Sequence, residues 1–143
     1  MVEIRDFIQG PRRVQRNQNE LLVEIILPSV LNQDSHVVFE KVGNRNADAI
    51  AKVSFAGLIR ISENQIVDVR FAFGAVGPTI VRSYDIEKKV LGKTLPLAKK
   101  EITAIIADFA QILNPIDDQR STSVYRKRVA LNLLRYFLES YCY

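Results

Sequence analysis

Ile50-Ala51-Lys52-Val53-Ser54-Phe55-Ala56-Gly57-Leu58-Ile59-Arg60-Ile61-Ser62-Glu63-Asn64-Gln65-Ile66-Val67-Asp68-Val69-Arg70-Phe71-Ala72-Phe73 is the stretch that decides the fold. Its first half places Ala51, Val53, Phe55, Ile59 and Ile61 on one side and Lys52, Ser54 and Arg60 on the other, a period of two. Ser62-Glu63-Asn64 is a polar turn. The alternation then resumes, with Val67, Val69, Phe71 and Phe73 opposed to Asp68 and Arg70. Successive side chains of a strand point to opposite faces, so each run predicts a strand with one apolar face. Two such runs joined by a short turn predict a β-hairpin. One apolar and one mixed face suit an antiparallel sheet covered by helices on one side.

Upstream, residues 37–42 predict another strand. So do residues 20–27, which are rich in Leu, Val and Ile and are ended by Pro28. Downstream the period changes. Gly74, Gly77 and Pro78 break the alternation. Ser83 can cap a short helix, with Asp85 and Glu87 in its favourable first turn and Gly92 as its stop. Residues 97–113 carry Ile102, Ile105, Ile106, Phe109, Ile112 and Leu113 at helical spacing, and Pro115 stops that helix. A last helix is expected over 123–140. Its apolar side is read as Tyr125, Val129, Leu133, Tyr136 and Phe137, and its positive side as Arg126, Lys127 and Arg135. Strands first and helices afterwards predict an α+β domain with segregated layers rather than a parallel βαβ array.

The 143 residues fit one domain with a substantial core. The longest apolar run, 21–27, is interrupted by Glu24 and falls far short of the ~20 residues of a membrane helix. Met1-Val2-Glu3-Ile4-Arg5-Asp6 lacks the apolar core of a signal peptide, so a cytoplasmic location is expected. One cysteine, Cys142, and one histidine, His36, argue against an internal disulfide, a zinc or iron–sulfur site, and a Cys/His nucleophilic pair. His36 follows the polar Asn32-Gln33-Asp34-Ser35 and is read as a surface residue, Cys142 as a residue of a frayed end. The net charge of +4 is dispersed among Arg12, Arg13, Arg16, Lys88, Lys89, Lys99, Lys100 and 126–128, a spread that could favour an anionic partner but that solvated helix faces explain as well. No helix-turn-helix, zinc-finger or RNP-type pattern supports a nucleic-acid partner. The first 19 residues, with Gln15, Asn17, Gln18 and four arginines, are the most polar and read as an extended arm.

Three motifs invite chemistry. Asp117-Asp118 suggests an acid/base or metal pair, but adjacent carboxylates just before a helix are more simply held by its dipole and by Arg120. Gly74-Ala75-Val76-Gly77-Pro78-Thr79 lacks the Lys-Ser/Thr ending of a phosphate loop and the three glycines of a dinucleotide fingerprint. Pro78 also removes a backbone N–H, leaving a tight strand-to-helix bend as the simpler reading. Gly43-Asn44-Arg45-Asn46-Ala47-Asp48 is a polar loop flanked by Lys41.

Taken in order, several short segments carry a resemblance: Phe7-Ile8-Gln9-Gly10-Pro11, Glu20-Leu21-Leu22-Val23-Glu24-Ile25 with Pro28, and Phe39-Glu40-Lys41-Val42-Gly43 with Arg45. Asp48-Ala49-Ile50-Ala51-Lys52-Val53, Gly77-Pro78-Thr79 and Leu91-Gly92-Lys93 follow, then Pro115-Ile116-Asp117-Asp118 through Ser123-Val124-Tyr125-Arg126-Lys127-Arg128. Each is weak alone, but their shared order and spacing resemble the C-terminal domain of the FAD subunit of molybdenum hydroxylases, the family of xanthine dehydrogenase and carbon monoxide dehydrogenase. The likeness covers nearly the whole chain.

The resemblance implies a small antiparallel sheet of three to four strands with three C-terminal helices packed on one face. It implies that 20–143 is the domain and 1–19 the end of the family's FAD domain. It further implies a domain cut at that boundary or the product of a split gene, since no Ala-Gly-Gly-Thr-Asp-like segment is present. Lys41 would reach the pyrimidine edge of the flavin, with Arg45 and Asp48 contributing electrostatics beside the ring. No catalytic residue and no metal ligand is implied for this chain. FAD would be shared with an N-terminal FAD domain and bound weakly or not at all by this chain alone. A molybdenum subunit and an iron–sulfur subunit would complete the enzyme, and self-association is possible. The competing reading is a non-catalytic, stand-alone interaction or assembly module of the same fold.

Overall fold

The computed structural model describes residues 1–27, 35–45 and 47–143. Its centre is a four-stranded antiparallel meander in the order β3-β4-β5-β6: Ser35–Val42, Val53–Ser62, Gln65–Gly74 and Val81–Arg82. Helices α2 (Tyr84–Val90), α3 (Lys99–Ile112) and α4 (Ser123–Tyr141) follow. The α+β class and the three C-terminal helices are therefore as the sequence implies. Ahead of the sheet lie α1 (Ile4–Phe7) and a short pair, β1 (Ile8–Gly10) and β2 (Arg13–Val14). The first residues are thus not a simple extended arm; local hydrogen bonds, such as Gln15 N–H to the Phe7 carbonyl at 2.8 Å, fold them on themselves.

The hairpin forms where its alternation placed it. Ser62 pairs with Gln65, and the two turn residues Glu63 and Asn64 take φ of 48° and 63°. Two successive left-handed residues make the turn whose twist matches antiparallel strands. Asn64 suits that conformation and Glu63 does not. Contacts from outside hold the turn: Leu95 N–H donates to the Asn64 carbonyl at 2.9 Å, and Asn64 Nδ2 donates to the Leu95 carbonyl at 2.7 Å.

One face of the hairpin departs from strict alternation. Arg60 pairs with Asp68 but Ile61 with Ile66, so Val67 is an extra residue on β5. The bulge turns Val67 outward, 40% exposed, and buries Ile66 in its place.

The expected strand at 20–27 is absent. Residues 21–27 have no regular structure, and their apolar side chains lie exposed. Pro28 and the 32–34 part of the polar stretch before His36 lie outside the described residues. The fourth strand is instead the two-residue β6, paired as Ala72 with Arg82 and Phe73 with Val81. Two residues are too few to show a period.

The core sits between the sheet and the helices. Phe55, Phe71, Phe73, Phe109 and Phe137 are its largest side chains, with ring centroids 5.1–5.9 Å apart. Each such ring removes 150–250 Å² or so from water, which makes the cluster the main apolar stabilisation of the domain. Phe137 lies against Gly57 so closely that a Cβ there would stand 2.7 Å from the ring, and this approach requires glycine.

Helix α4 buries a stripe one position away from the expected one. Arg126, Ala130, Leu134, Phe137 and Leu138 face inward, while Tyr136 is 63% exposed. Thr122 caps the helix, accepting from Tyr125 N–H at 3.2 Å. Cys142 is buried rather than frayed: its carbonyl accepts from Leu97 N–H at 2.6 Å, and burial pushes its thiol up to about 12. His36 lies in β3, exposed, with its ring stacked on Tyr141 at 5.2 Å.

Candidate functional site

Among the described residues strand β3 is an outer strand of the sheet, and its register sets where Lys41 points. Val38, Glu40 and Val42 pair with Gly57, Phe55 and Val53 on the helix-covered side. Alternation then puts Val37, Phe39 and Lys41 on the opposite, uncovered face. Lys41 pairs with Ser54, and Ser54 with Gly74. In the next row Phe39, Ala56, Ala72 and Arg82 are in register. The uncovered face therefore has a floor of small side chains between an exposed Lys41 and Phe39 at one edge and Arg82 at the other. Ser54 Oγ would stand 2.3 Å from a Cβ at Gly74, so the floor is low at that point because residue 74 has no side chain.

Beyond β3 the chain turns at Gly43. The Arg45 guanidinium Nε donates to the Asp48 carbonyl at 3.2 Å, with Nη2 donating to the same oxygen. Asp48 itself takes φ of 49°, a conformation that aspartate tolerates better than most residues. Lys52 N–H donates to the Val42 carbonyl at 2.7 Å and closes the loop. Lys41, Arg45 and Asp48 are thus brought to one end of one sheet edge, all exposed. Arg45 engages the main chain of Asp48, not its carboxylate. Asn46 lies outside the described residues. Among the described residues no ion pair engages the Lys41 ammonium.

None of these three residues lines the two clefts of about 420 and 430 Å³ that lie beside Arg82 and beside Lys99. The first contains a cluster that the sequence did not announce. Glu87 is buried; it accepts from Phe71 N–H at 2.8 Å and from Arg82 Nε and Nη2 at 2.9 Å each. Its carboxylate satisfies a β5 amide just where the two-residue β6 has run out. Arg82 also lies over the Tyr84 ring at 4.4 Å. Burial works against the Arg82 charge, but the Glu87 hydrogen bonds and charge outweigh it and raise its pKa above the ordinary arginine value. Asp68 is likewise paired, to Arg70 at 2.8 Å. With both carboxylates held by arginines, neither is poised as a base. The signal for this cluster is Arg82 and Glu87 on either side of the Ser83 cap, a spacing too common to single out.

The Asp117-Asp118 pair is structural, as its position implied, but its main partner is different. Arg126 was expected on the solvated side of α4; it is buried and donates to Asp118 at 2.6 Å and to the Ala75 carbonyl at 3.2 Å. The Arg120 and Ser121 amides also donate to Asp118, at 2.8 and 3.1 Å, and the Ser123 amide donates to Asp117. These amide bonds, Arg120's foremost for Asp118 and Ser123's for Asp117, hold both carboxyls below the usual range. Arg126 thereby ties the entry of the last helix to the 74–79 bend, which is the strand-to-helix connection the glycines implied. Among the described residues no group of three or more His, Cys, Asp or Glu could hold a metal ion, and no helix is long and apolar enough to cross a membrane.

Comparison with known proteins places this architecture. Residues 39–141 match the model of the CO dehydrogenase flavoprotein C-terminal domain family. The glyceraldehyde dehydrogenase medium chain of Sulfolobus acidocaldarius is 33% identical over 129 residues, 90% of this chain and 44% of the relative. The carbon monoxide dehydrogenase medium chain of Hydrogenophaga pseudoflava is 28% identical, over 90% of this chain and 44% of its own length. The putative xanthine dehydrogenase FAD-binding subunit of Escherichia coli K12 is 26% identical over 87% of this chain and 42% of its own. A solved carbon monoxide dehydrogenase structure from H. pseudoflava superposes with a TM-score of 0.80 at 25% identity, over 92% of this chain and 45% of that one. This chain spans somewhat under half the length of each. The meander, the three helices and the match over 39–141 together show that the chain belongs to the CO dehydrogenase flavoprotein C-terminal domain family, found in the FAD-binding subunits of molybdenum hydroxylases.

Proposed function

We propose that this chain is the C-terminal part of a FAD-binding subunit of a xanthine dehydrogenase-type molybdenum oxidoreductase and completes one side of the flavin site. The observation that carries the proposal is the exposed Lys41, which has no ion pair among the described residues, beside a loop braced by Arg45, in a domain of this family. An exposed sheet face that carries a cation with no ion pair among the described residues fits a group whose other contacts come from elsewhere better than a group held by this chain alone. FAD, when bound, supplies the electron-transfer chemistry. Lys41 would hold a positive charge at the edge of the ring and favour negative charge there. Arg45 would fix the loop, and the Asp48 carboxylate would set the local potential. The domain would occupy 20–143, with 1–19 closing a preceding FAD domain. Molybdenum and iron–sulfur subunits would be the further partners, and the cytoplasm the location.

The test is reconstitution. The chain is mixed with the matching N-terminal FAD domain and followed by gel filtration and visible absorbance. A yellow, co-eluting complex is expected, and absence of association with any FAD domain would sink the proposal. Within that complex Lys41→Ala is expected to shift the flavin midpoint potential to a more negative value; an unchanged potential removes Lys41 from the site. The competing reading, a non-catalytic assembly module, draws on the outer β3 edge and predicts a colourless complex with some other partner.

A further inference from the structure

Strand β5 has a gap along its outer edge. Phe71 N–H donates to Glu87, so it points away from β4. Residues 68–74 pair with β4 in unbroken register, and every second residue of such a strand presents its N–H and C=O to the same side. The N–H and C=O of Val69 therefore also point away from β4. Strand β6 reaches only Ala72 and Phe73. At the other end Ile66 N–H donates to the Lys93 carbonyl at 3.0 Å, and the Ile66 carbonyl accepts from Gly92 N–H at 2.8 Å. Between these contacts Val69, 4% exposed, has no partner for either group among the described residues. A buried main-chain donor and acceptor left open by the fold call for a partner from outside it.

Val69 lines the cleft of about 420 Å³ beside Arg82, and the donors around that cleft exceed their partners. Arg70 gives Nε and Nη2 to Asp68, and Arg82 gives Nε and Nη2 to Glu87. A guanidinium has five N–H donors, so Nη1 of each is left without a hydrogen bond among the described residues, on side chains 34% and 30% exposed. Lys88 lines the same cleft; its ion-pair partner Asp85 lies 4.0 Å away, and both are largely exposed, which makes that pair weak. Three cations against the carboxylates of Asp68 and Glu87 leave the lining with one positive charge. The lining also includes Leu91 and Tyr84, each about half exposed.

We infer that this cleft is a binding site for a small organic acid with one carboxylate and a neighbouring hydroxyl. The carboxylate balances the single positive charge and accepts from the spare arginine and lysine donors, bonds that charge strengthens. The hydroxyl accepts from Val69 N–H and donates to the Val69 carbonyl, closing the gap in the strand edge. The apolar body of the acid covers Leu91 and Tyr84. The inference stands apart from the function proposed above, since Lys41, Arg45 and Asp48 do not line this cleft.

The test is a titration of the full, isotope-labelled chain with mandelate at constant ionic strength, read by amide NMR. The Val69 amide is expected to move saturably, with a dissociation constant on the order of 1 mM. Mandelamide, which lacks the charge, should bind at least about tenfold more weakly, and phenylacetate, which lacks the hydroxyl, about fivefold more weakly. Lys88→Glu should weaken mandelate at least about tenfold. Arg128→Glu makes the same change of charge on α4, away from the cleft, and should bind as the parent does. Both variants alter exposed side chains and should melt with the parent. A Val69 amide that does not move, or parent-level binding of mandelamide or phenylacetate, overturns the inference. So does equal weakening by Lys88→Glu and Arg128→Glu, which would report net charge alone. Inorganic phosphate matching mandelate reduces the cleft to an unspecific anion site, and a blocked Gly-Glu-Gly peptide binding more tightly than mandelate assigns it to a polypeptide carboxylate; either result overturns the inference as well.

Discussion

Two regions of this molecule have similar sequence character and opposite fates. Residues 53–62 of β4 and residues 21–27 are both short, branched and apolar. The first is the best-buried strand of the domain; the second lies almost bare. The difference is in the neighbours. Strand β4 has a partner two residues away across a tight turn and a helix, α4, that comes back over it. Among the described residues, 21–27 have neither. Hydrophobicity makes burial favourable, but it takes a second surface to realise it, and the structure gives that surface to one region only.

The sharpest way to break the comparison is at the α4–β4 contact. Phe137→Ala should cost about 4 kcal/mol, read by urea denaturation, because it removes a fully buried ring shared by Phe55, Phe71 and Gly57. Arg126→Ala should cost about 3 kcal/mol, through the loss of a buried guanidinium and its two partners. In a double-mutant cycle with Asp118→Ala the two effects should be clearly less than additive. Gly57→Ala should cost about 2 kcal/mol, since the new methyl meets the Phe137 ring.

Acid should act more mildly. Asp117 and Asp118 have folded pKa values below their ordinary 3.8, so what they contribute is complete above that value and is lost as pH falls through the lower, folded values. Stability measured from pH 6 down to pH 2 should therefore begin to fall only below about pH 4 on their account, and Asp118→Asn should flatten that part of the curve. The smallest effect belongs to the other region: Leu22→Ala or Ile26→Ala should change the stability of the isolated chain by no more than about 0.5 kcal/mol. A larger loss would mean that the segment packs on the domain after all.

Much of the fold was legible because it is locally encoded. The hairpin follows from a period of two, α2 from Ser83 and Gly92, and the end of α3 from Pro115. What escaped was non-local. Val67 and Ile66 exchanged roles because a bulge resets the period. The α4 stripe was misjudged by one position because Tyr125, Val129 and Tyr136 look more apolar than Arg126 and Ala130. Only the placement of the 74–79 bend and Asp118 shows that an arginine belongs inside. At the candidate site, Lys41, Arg45 and Asp48 were legible as neighbours in sequence and stand together at one end of the β3 edge, whereas the small-residue floor beside them is assembled from two other strands.

By itself the sequence determined the class, the hairpin, the caps and stops of the helices, and the family to which the chain is similar. The hairpin, caps and stops depend on residues within a few positions of one another, and the class and the family likeness on the order of such local segments along the chain. Only the tertiary structure decided that Arg126 and Cys142 are buried, that Glu87 completes the sheet edge, and that 21–27 have no partner among the described residues. Each of those depends on which distant surface arrives to cover a side chain, and burial is a property of the pair of surfaces and not of either alone.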